Sequence, residues 1–132
     1  MIEIINLYQG KDCFNFAKPI EGAVKALNEM LEEGHDMYIC TTPVSKYQYC
    51  VHDKYYWVEK NLGKEWVKRL ILTPDKTFVH ADLLIDDKPN ITGAQSPPMW
   101  KHILFTRQYN LDVCGKPRID DWSCWRDIVS QI

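Results

Sequence analysis

The sequence lacks the cysteine and histidine spacings that mark metal-bound or disulfide-linked domains. It has five cysteines, an odd number with no C-x-x-C pair, and its four histidines show no H-x-x-x-H spacing. These absences argue against a zinc site and against a disulfide framework. We expect the cysteines to be reduced thiols that pack as small hydrophobic side chains.

Long apolar runs and blocks of like charge are also missing. No stretch approaches the roughly 20 apolar residues of a membrane span, and 16 Lys and Arg balance 18 Asp and Glu. We therefore expect neither a membrane anchor nor a grip on nucleic-acid backbone, and we expect the five tryptophans to be core residues, not platforms for stacked bases. Met1 to Asn6 show no signal-peptide pattern, which favours a cytoplasmic protein.

The 132 residues, 45% hydrophobic and 26% charged, suffice for one globular domain. Helical periodicity and short apolar runs alternate along it. The predicted strands are Met37 to Thr41, Leu70 to Thr73, Ala81 to Asp87 and His102 to Thr106. Four helices are predicted: one after Pro19, one that includes Trp57 and ends at Gly63, one from Glu65 to Arg69 and one after Asp121. This alternation predicts an α/β fold with a mostly parallel sheet flanked by helices.

Polar side chains stand where three predicted strands end. Thr41 and Thr42 close one strand, Lys76 lies in the turn after the next, and Asp86 and Asp87 close a third. Ligands bind at the carboxyl ends of parallel strands, so we expect these residues to lie near one another. Hydroxyl and lysine groups suit a phosphate, and Mg²⁺ takes one or two carboxylates with water and phosphate oxygens. The pattern predicts a phosphate-plus-metal site.

Each of these residues also has a structural interpretation. One aspartate could cap the turn at Lys88 to Asn90 while the other pairs with a lysine. The two threonines could be turn and cap residues, and Lys76 could be a solvated surface lysine. The sequence leaves these alternatives open.

Several segments of the chain also share a pattern with a known family. They are, in order, Pro19 to Ala23, Ile39 to Pro43, Lys54 to Glu59, Leu72 to Thr77, Ala81 to Lys88, Trp100 to Thr106 and Trp122 to Ile128. In these segments the chain resembles the 5′(3′)-deoxyribonucleotidases, small phosphatases of the haloacid-dehalogenase-like superfamily. The resemblance implies a Rossmann-like core of the haloacid-dehalogenase type.

The resemblance also implies a reaction, in which an aspartate attacks the phosphorus of a deoxyribonucleoside monophosphate. By that likeness Thr41 holds a phosphate oxygen, and Lys76 neutralises the charge shared by phosphate and nucleophile. Asp86 and Asp87 would hold Mg²⁺, directly or through water. The implied phosphate-binding set, with the adjoining positions included, is Thr41, Thr42, Lys76 and Lys88.

The family's first motif, Asp-x-Asp-Gly-Val at the end of an N-terminal strand, has no counterpart here. No aspartate in the chain is followed two residues later by another. The nucleophile, the acid that serves the leaving group and one metal ligand are therefore absent. Most of the helical cap is missing too, so residues 1–13 are either a remnant of the cap or a replacement strand, and residues 14–132 are the phosphatase-like core.

The absent motif predicts a gap in the middle of the sheet. In the superfamily its strand lies between the strands that end here in Asp86 and Thr41, and without it two inner edges expose unpaired backbone groups. One hypothesis is that Ile2 to Leu7, rich in β-branched residues, inserts there from its own chain or a partner's. The other is that this segment remains a short cap helix. Open edges favour a homo-oligomer or a complementing chain.

Three functions are consistent with these observations. The chain is a deoxyribonucleotidase whose N-terminal part has been removed, or a non-catalytic relative that binds nucleotide or phosphate with Mg²⁺, or an assembly partner. The first predicts an upstream reading frame with the missing motif, and the second predicts binding without turnover. The third predicts that the substitutions Lys76→Ala and Asp86→Asn leave the phenotype unchanged.

Overall fold

The computed structural model describes residues 2–4, 18–42 and 47–132. The helices are α1 (Ala23–Glu32), α2 (Tyr47–Leu62), α3 (Lys64–Val67) and α4 (Trp125–Val129). The strands are β1 (Ile2–Ile4), β2 (Met37–Thr41), β3 (Leu70–Leu72), β4 (Leu83–Asp86), β5 (Lys101–Phe105) and β6 (Arg118–Ile119). The longest helix, α2, has 16 residues, and no helix in the described ranges combines the length and apolar character of a bilayer span.

The strands form one six-stranded sheet in the order β3-β2-β1-β4-β5-β6. Every pair of neighbouring strands is parallel, which confirms the predicted α/β architecture. The edge strand β6 was not predicted, because two residues are too few to show a periodicity. The parallel arrangement brings the carboxyl ends of β2, β1 and β4 to one edge of the sheet, where ligands bind in such folds.

The middle of the sheet is filled by β1. Ile2 pairs with Met37 of β2 on one side and with Leu83 of β4 on the other. The expected gap is therefore closed, because a short extended segment satisfies the backbone groups of both inner edges. The strand hypothesis for Ile2 to Leu7 agrees with the structure over β1, and residues 5–7 lie outside the described ranges. Because β1 pairs with both inner strands, these edges no longer favour a homo-oligomer or a complementing chain, and the oligomeric state stays a prediction.

Helix α1 begins four residues after Pro19, where the helical pattern starts. Gly22 precedes it with a φ of 81°, in the left-handed region that glycine adopts without steric cost. The buried side chains of the helix are Ala23, Ala26, Leu27 and Met30. The spacing of Ile20, Val24, Leu27 and Leu31 in the sequence predicts that these four residues share the apolar face of the helix. Of these, Val24 and Leu31 are only half-buried. The apolar face is thus rotated from the prediction, because two alanines turn toward the sheet.

Both faces of the sheet are covered. In β4, Leu83 and Ile85 belong to the larger core that includes α1, whereas Leu84 packs with Ala81 and Trp100 in a smaller core. Alternate side chains of one strand thus enter opposite cores, as in a strand buried on both sides. All five tryptophans are at most 6% exposed, which confirms that they are core residues.

The cysteines agree only partly with the prediction. Cys40 is buried in β2, whereas Cys114 and Cys124 are exposed free thiols. The expectation of core packing is wrong for these two, because Cys114 lies in a surface loop beside Gly115 and Cys124 in the exposed turn before α4. Cys13 and the side chain of Cys50 lie outside the described residues.

Candidate functional site

Two residues of the predicted site form a buried ion pair. Asp86 is the last residue of β4, and Lys76 opens a short 3-10 turn after β3. Nζ of Lys76 donates a hydrogen bond to Oδ2 of Asp86 at 3.2 Å, and the two side chains are 7% and 0% exposed. Lys76 is therefore not a solvated surface lysine, because its side chain is buried and paired with Asp86.

Asp86 combines the two structural roles that the sequence suggested for the aspartate pair. Besides the pair with Lys76, its Oδ1 accepts a hydrogen bond of 3.0 Å from the backbone N–H of Lys88. Asp87 follows and is 4% exposed. Each carboxylate oxygen has two lone pairs, so these bonds leave acceptor capacity on Asp86 for a cation.

A small cavity opens beside this pair, with a volume of about 160 Å³. Its lining includes three of the residues predicted to bind phosphate, Thr42, Lys76 and Lys88, and is completed by Pro74, Asn90, Ile91 and Thr92. Because one water occupies about 30 Å³ in the liquid, the cavity has room for roughly five waters or one small anion. Two lysines and a threonine give it the character of an anion site.

Asp75, for which no role was predicted, ties the turn after β3 to the loop that carries Ala94. Its carboxylate accepts a hydrogen bond of 2.9 Å from the backbone N–H of Thr77 and one of 2.8 Å from that of Ala94. The pKa of Asp75 is lowered, mainly by the hydrogen bond that its carboxylate accepts from the Thr77 hydroxyl and further by the two backbone bonds. A Cβ atom on Gly93 would stand 2.0 Å from Asp75 Oδ1, so only glycine lets this loop approach the carboxylate so closely.

Lys54 of α2 is a site residue for which the sequence analysis named no role. Its Nζ donates a hydrogen bond to the hydroxyl of Thr41, at the carboxyl end of β2, and the residue is 7% exposed. Burial is the main cause that lowers the pKa of Lys54 to about 8, and the charges of Lys76 and Lys88 add to it. Three lysines thus share this edge. The sequence contains a signal for the burial of Lys54. It lies three residues before Trp57, which is buried, and residues three apart in a helix lie on the same face.

The lowered pKa of Lys54 predicts how stability depends on pH. Between about pH 8 and the usual value of 10.5, the unfolded chain holds the Lys54 proton more tightly than the folded chain does. Stability therefore rises with pH through this window. As the pH is raised from 7 to 10, the free energy of unfolding in urea is expected to increase for wild type relative to Lys54→Met. Parallel pH profiles for the two proteins would show that the charged form of Lys54 is not penalised by folding.

Asp86 and Asp87 are the predicted metal ligands at this edge of the sheet. Within the part of the chain that the structure describes, no three His, Cys, Asp or Glu side chains come together. Mg²⁺ commonly uses one or two protein carboxylates with water and phosphate oxygens, and Asp86 with Asp87 fits that donor set. Lys54, Lys76 and Lys88 bring three positive charges to the same edge. The residues therefore suit Mg²⁺ together with a phosphate better than Mg²⁺ alone.

The predicted residues thus lie at one edge of the sheet, some in the cavity lining and others bonded to a lysine. Thr42, Lys76 and Lys88 share the cavity lining. Asp86 is bonded to one of these lining residues, Lys76. Thr41 is bonded to Lys54, whose pKa is lowered in part by the charges of Lys76 and Lys88.

Comparison with known proteins agrees with the resemblance in the motifs. A family model described as "5' nucleotidase, deoxy (Pyrimidine), cytosolic type C protein" matches residues 3–132. The chain is 48% identical over 112 residues to a putative 5′(3′)-deoxyribonucleotidase of Bordetella bronchiseptica, covering 85% of this chain and 59% of that protein. It is 42% identical over 130 residues to the mitochondrial 5′(3′)-deoxyribonucleotidase of Mus musculus, covering 95% of this chain and 59% of the relative.

A third relative is the cytosolic type of 5′(3′)-deoxyribonucleotidase of Homo sapiens. It is 42% identical over 132 residues, which cover 96% of this chain and 66% of the human protein. The chain therefore spans between 59% and 66% of the length of these three relatives.

Proposed function

The chain belongs to the family of deoxy (pyrimidine), cytosolic type C 5′-nucleotidases, and from this membership we propose that it supplies the phosphate- and metal-binding part of a 5′(3′)-deoxyribonucleotidase site. The proposed ligand is a deoxyribonucleoside monophosphate, bound through its phosphate group. The observation that carries the proposal is the buried Lys76–Asp86 pair beside a cavity lined by Thr42, Lys76 and Lys88. Relatives of cytosolic and mitochondrial type are both known, and we propose the cytoplasm for this chain.

In this proposal each side chain has a defined task. Lys76 and Lys88 neutralise the phosphate charge, and the hydroxyls of Thr41 and Thr42 donate hydrogen bonds to its oxygens. Lys54 orients the Thr41 hydroxyl by donating to its oxygen, which leaves the hydroxyl proton free to point at the phosphate.

Mg²⁺ is part of the proposal as well. Asp86 and Asp87 would hold the ion, which when bound spreads the negative charge of the phosphate. The ion pair with Lys76 keeps the Asp86 carboxylate at the carboxyl edge before any ligand arrives. Bound phosphate would offset the lysine charges and so favour binding of the cation.

A second candidate is a binding protein without catalysis. It is favoured by the absence of any Asp-x-Asp sequence in the chain, since that motif carries the attacking aspartate that the resemblance implies. Both candidates require the same phosphate site and differ in turnover.

Substitution of Lys88 tests the phosphate site. Lys88→Ala is expected to weaken binding of inorganic phosphate and of deoxyuridine monophosphate about tenfold, because a charge-assisted hydrogen bond is lost from an exposed position. Lys101→Ala is the matched control. It removes the same charge from an exposed lysine at the amino end of β5, on the opposite edge of the sheet, and is expected to change affinity less than about twofold.

Titration calorimetry with and without Mg²⁺ measures both variants. Equal loss in the two variants would mean that binding reflects only net charge. No binding of phosphate to the wild-type chain would refute the proposed function itself.

A further inference from the structure

Side chains from the β5 and β6 half of the molecule hold the backbone of the segment that carries Asp86, Asp87 and Lys88. Strand β4 ends at Asp86, and the next residues leave the sheet. Three peptide carbonyls of residues 86–89 nevertheless accept hydrogen bonds from side chains. The pairs are His102 with the Asp86 carbonyl, Asn110 with the Asp87 carbonyl and Lys116 with the Pro89 carbonyl. We refer to His102, Asn110 and Lys116 as the carbonyl clamp.

His102 and Lys116 act on this segment as a connected pair. Nε2 of His102 lies 3.2 Å from the Asp86 carbonyl oxygen, which can only accept, so Nε2 carries the proton. The other ring nitrogen, Nδ1, then accepts from Nζ of Lys116 at 3.0 Å. Burial lowers the pKa of His102, which favours this neutral ring. The same Lys116 ammonium also donates to the Pro89 carbonyl.

Asn110 is the most enclosed member of the clamp, with 0% exposure. Its Nδ2 donates to the Asp87 carbonyl at 2.8 Å and to the Phe105 carbonyl at 2.9 Å, so one amide ties the end of β5 to the aspartate pair. Its Oδ1 accepts from the backbone N–H of Arg107 at 2.9 Å and from Arg118 at 3.3 Å. Every polar atom of the side chain is therefore engaged, and the amide cannot rotate without losing several bonds.

We propose that the carbonyl clamp is a set of positioning residues that aims Asp86, Asp87 and Lys88 at the ligand, a role that rests on the proposed phosphate site. The direction of a side chain outside regular structure follows from the orientation of its flanking peptides. Fixing three carbonyls in residues 86–89 fixes those peptides. Hydrogen-bonded neighbours that orient a ligating group commonly change affinity or activity about 10- to 100-fold when they are removed.

A pair of substitutions at His102 tests the clamp. His102→Gln retains an amide N–H that can reach the Asp86 carbonyl, whereas His102→Leu has similar bulk and no donor. His102→Leu is expected to weaken phosphate binding at least about tenfold, and His102→Gln is expected to stay within about threefold of wild type.

Arg69→Ala is the matched structural control. Nη1 of Arg69 donates to the Met37 carbonyl at 2.9 Å, a side-chain bond to a strand carbonyl at the amino end of β2. The loss of this bond is expected to lower the melting temperature while leaving phosphate affinity within about twofold of wild type. A purely structural role for His102 predicts that phosphate affinity follows stability, so that Arg69→Ala loses as much affinity as His102→Leu for the same fall in melting temperature. That result would overturn the proposal.

Hydrogen exchange at the Lys88 amide reads the clamp without any ligand. This N–H donates to Asp86 Oδ1, and we expect its exchange to accelerate about tenfold or more in His102→Leu but not in the other two variants. Unchanged exchange in His102→Leu would refute the clamp even where phosphate binds. Failure of wild type to bind phosphate, with exchange accelerated as expected, would refute the proposed function and leave the clamp as a positioning device without its ligand.

Discussion

Replacing Lys76 with methionine is expected to lower the free energy of unfolding by about 3 to 5 kcal/mol. Asp86 is 0% exposed and shares its Oδ2 with the Lys76 ammonium. Methionine keeps much of the apolar stem but supplies no charge, so a buried carboxylate loses its partner ion. Urea unfolding at pH 7, followed by the fluorescence of the five buried tryptophans, measures the loss.

A double variant separates the charge from the volume of the side chain. Lys76→Met combined with Asp86→Leu removes both ions and is expected to recover most of the loss, because apolar residues often replace a buried ion pair at little cost. Lys101→Met makes the same change at an exposed lysine and is expected to alter stability by less than about 0.5 kcal/mol. A loss below about 1 kcal/mol in Lys76→Met would mean that the pair behaves as a solvated surface pair.

The convergence of the site could be predicted because it follows from the order of strands and helices. Thr41 and Asp86 end β2 and β4, and parallel strands must bring such ends to the same edge. The apolar runs that precede them identify buried strands without any knowledge of their partners. The sequence therefore predicted which edge carries the site and most of the residues on it.

The contacts between distant elements could not be predicted in the same way. Lys54 reaches Thr41 from α2, and Asn110 reaches the Asp87 carbonyl from a turn 23 residues away in sequence. Helical spacing places Lys54 on the same face of α2 as buried Trp57 but does not identify Thr41 as its partner. The contact of Asn110 has no local signal, since its distance in sequence from Asp87 reflects loop lengths and not a helix or strand period. The closing of the sheet by β1 was one of two hypotheses from the sequence, because the β-branched residues of Ile2 to Leu7 favour a strand but do not by themselves decide between a strand and a cap helix.

The 132-residue chain is expected to bind deoxyuridine monophosphate without hydrolysing it at an enzymatic rate. In the proposed site the lysines and threonines bind the phosphate, but the chain has no Asp-x-Asp sequence, the motif that by resemblance carries the attacking carboxylate. A typical enzyme turns over about 10 times per second, and removal of a nucleophile in another hydrolase cost about six orders of magnitude. Release of phosphate by the purified chain with Mg²⁺ is therefore expected to stay below about 10⁻³ per second.

Two measurements on one preparation separate this outcome from an unfolded or contaminated sample. Binding of the same nucleotide by calorimetry shows that the site is formed. Lys88→Ala purified in parallel identifies a contaminating phosphatase, because the rate of a contaminant would not follow the substitution. Magnesium-dependent turnover above about 1 per second that falls with Lys88→Ala would mean that another group in this chain attacks the phosphorus. Retained binding without turnover would instead show that charge and geometry hold the phosphate here, while bond formation requires a group such as the attacking aspartate of the absent Asp-x-Asp motif.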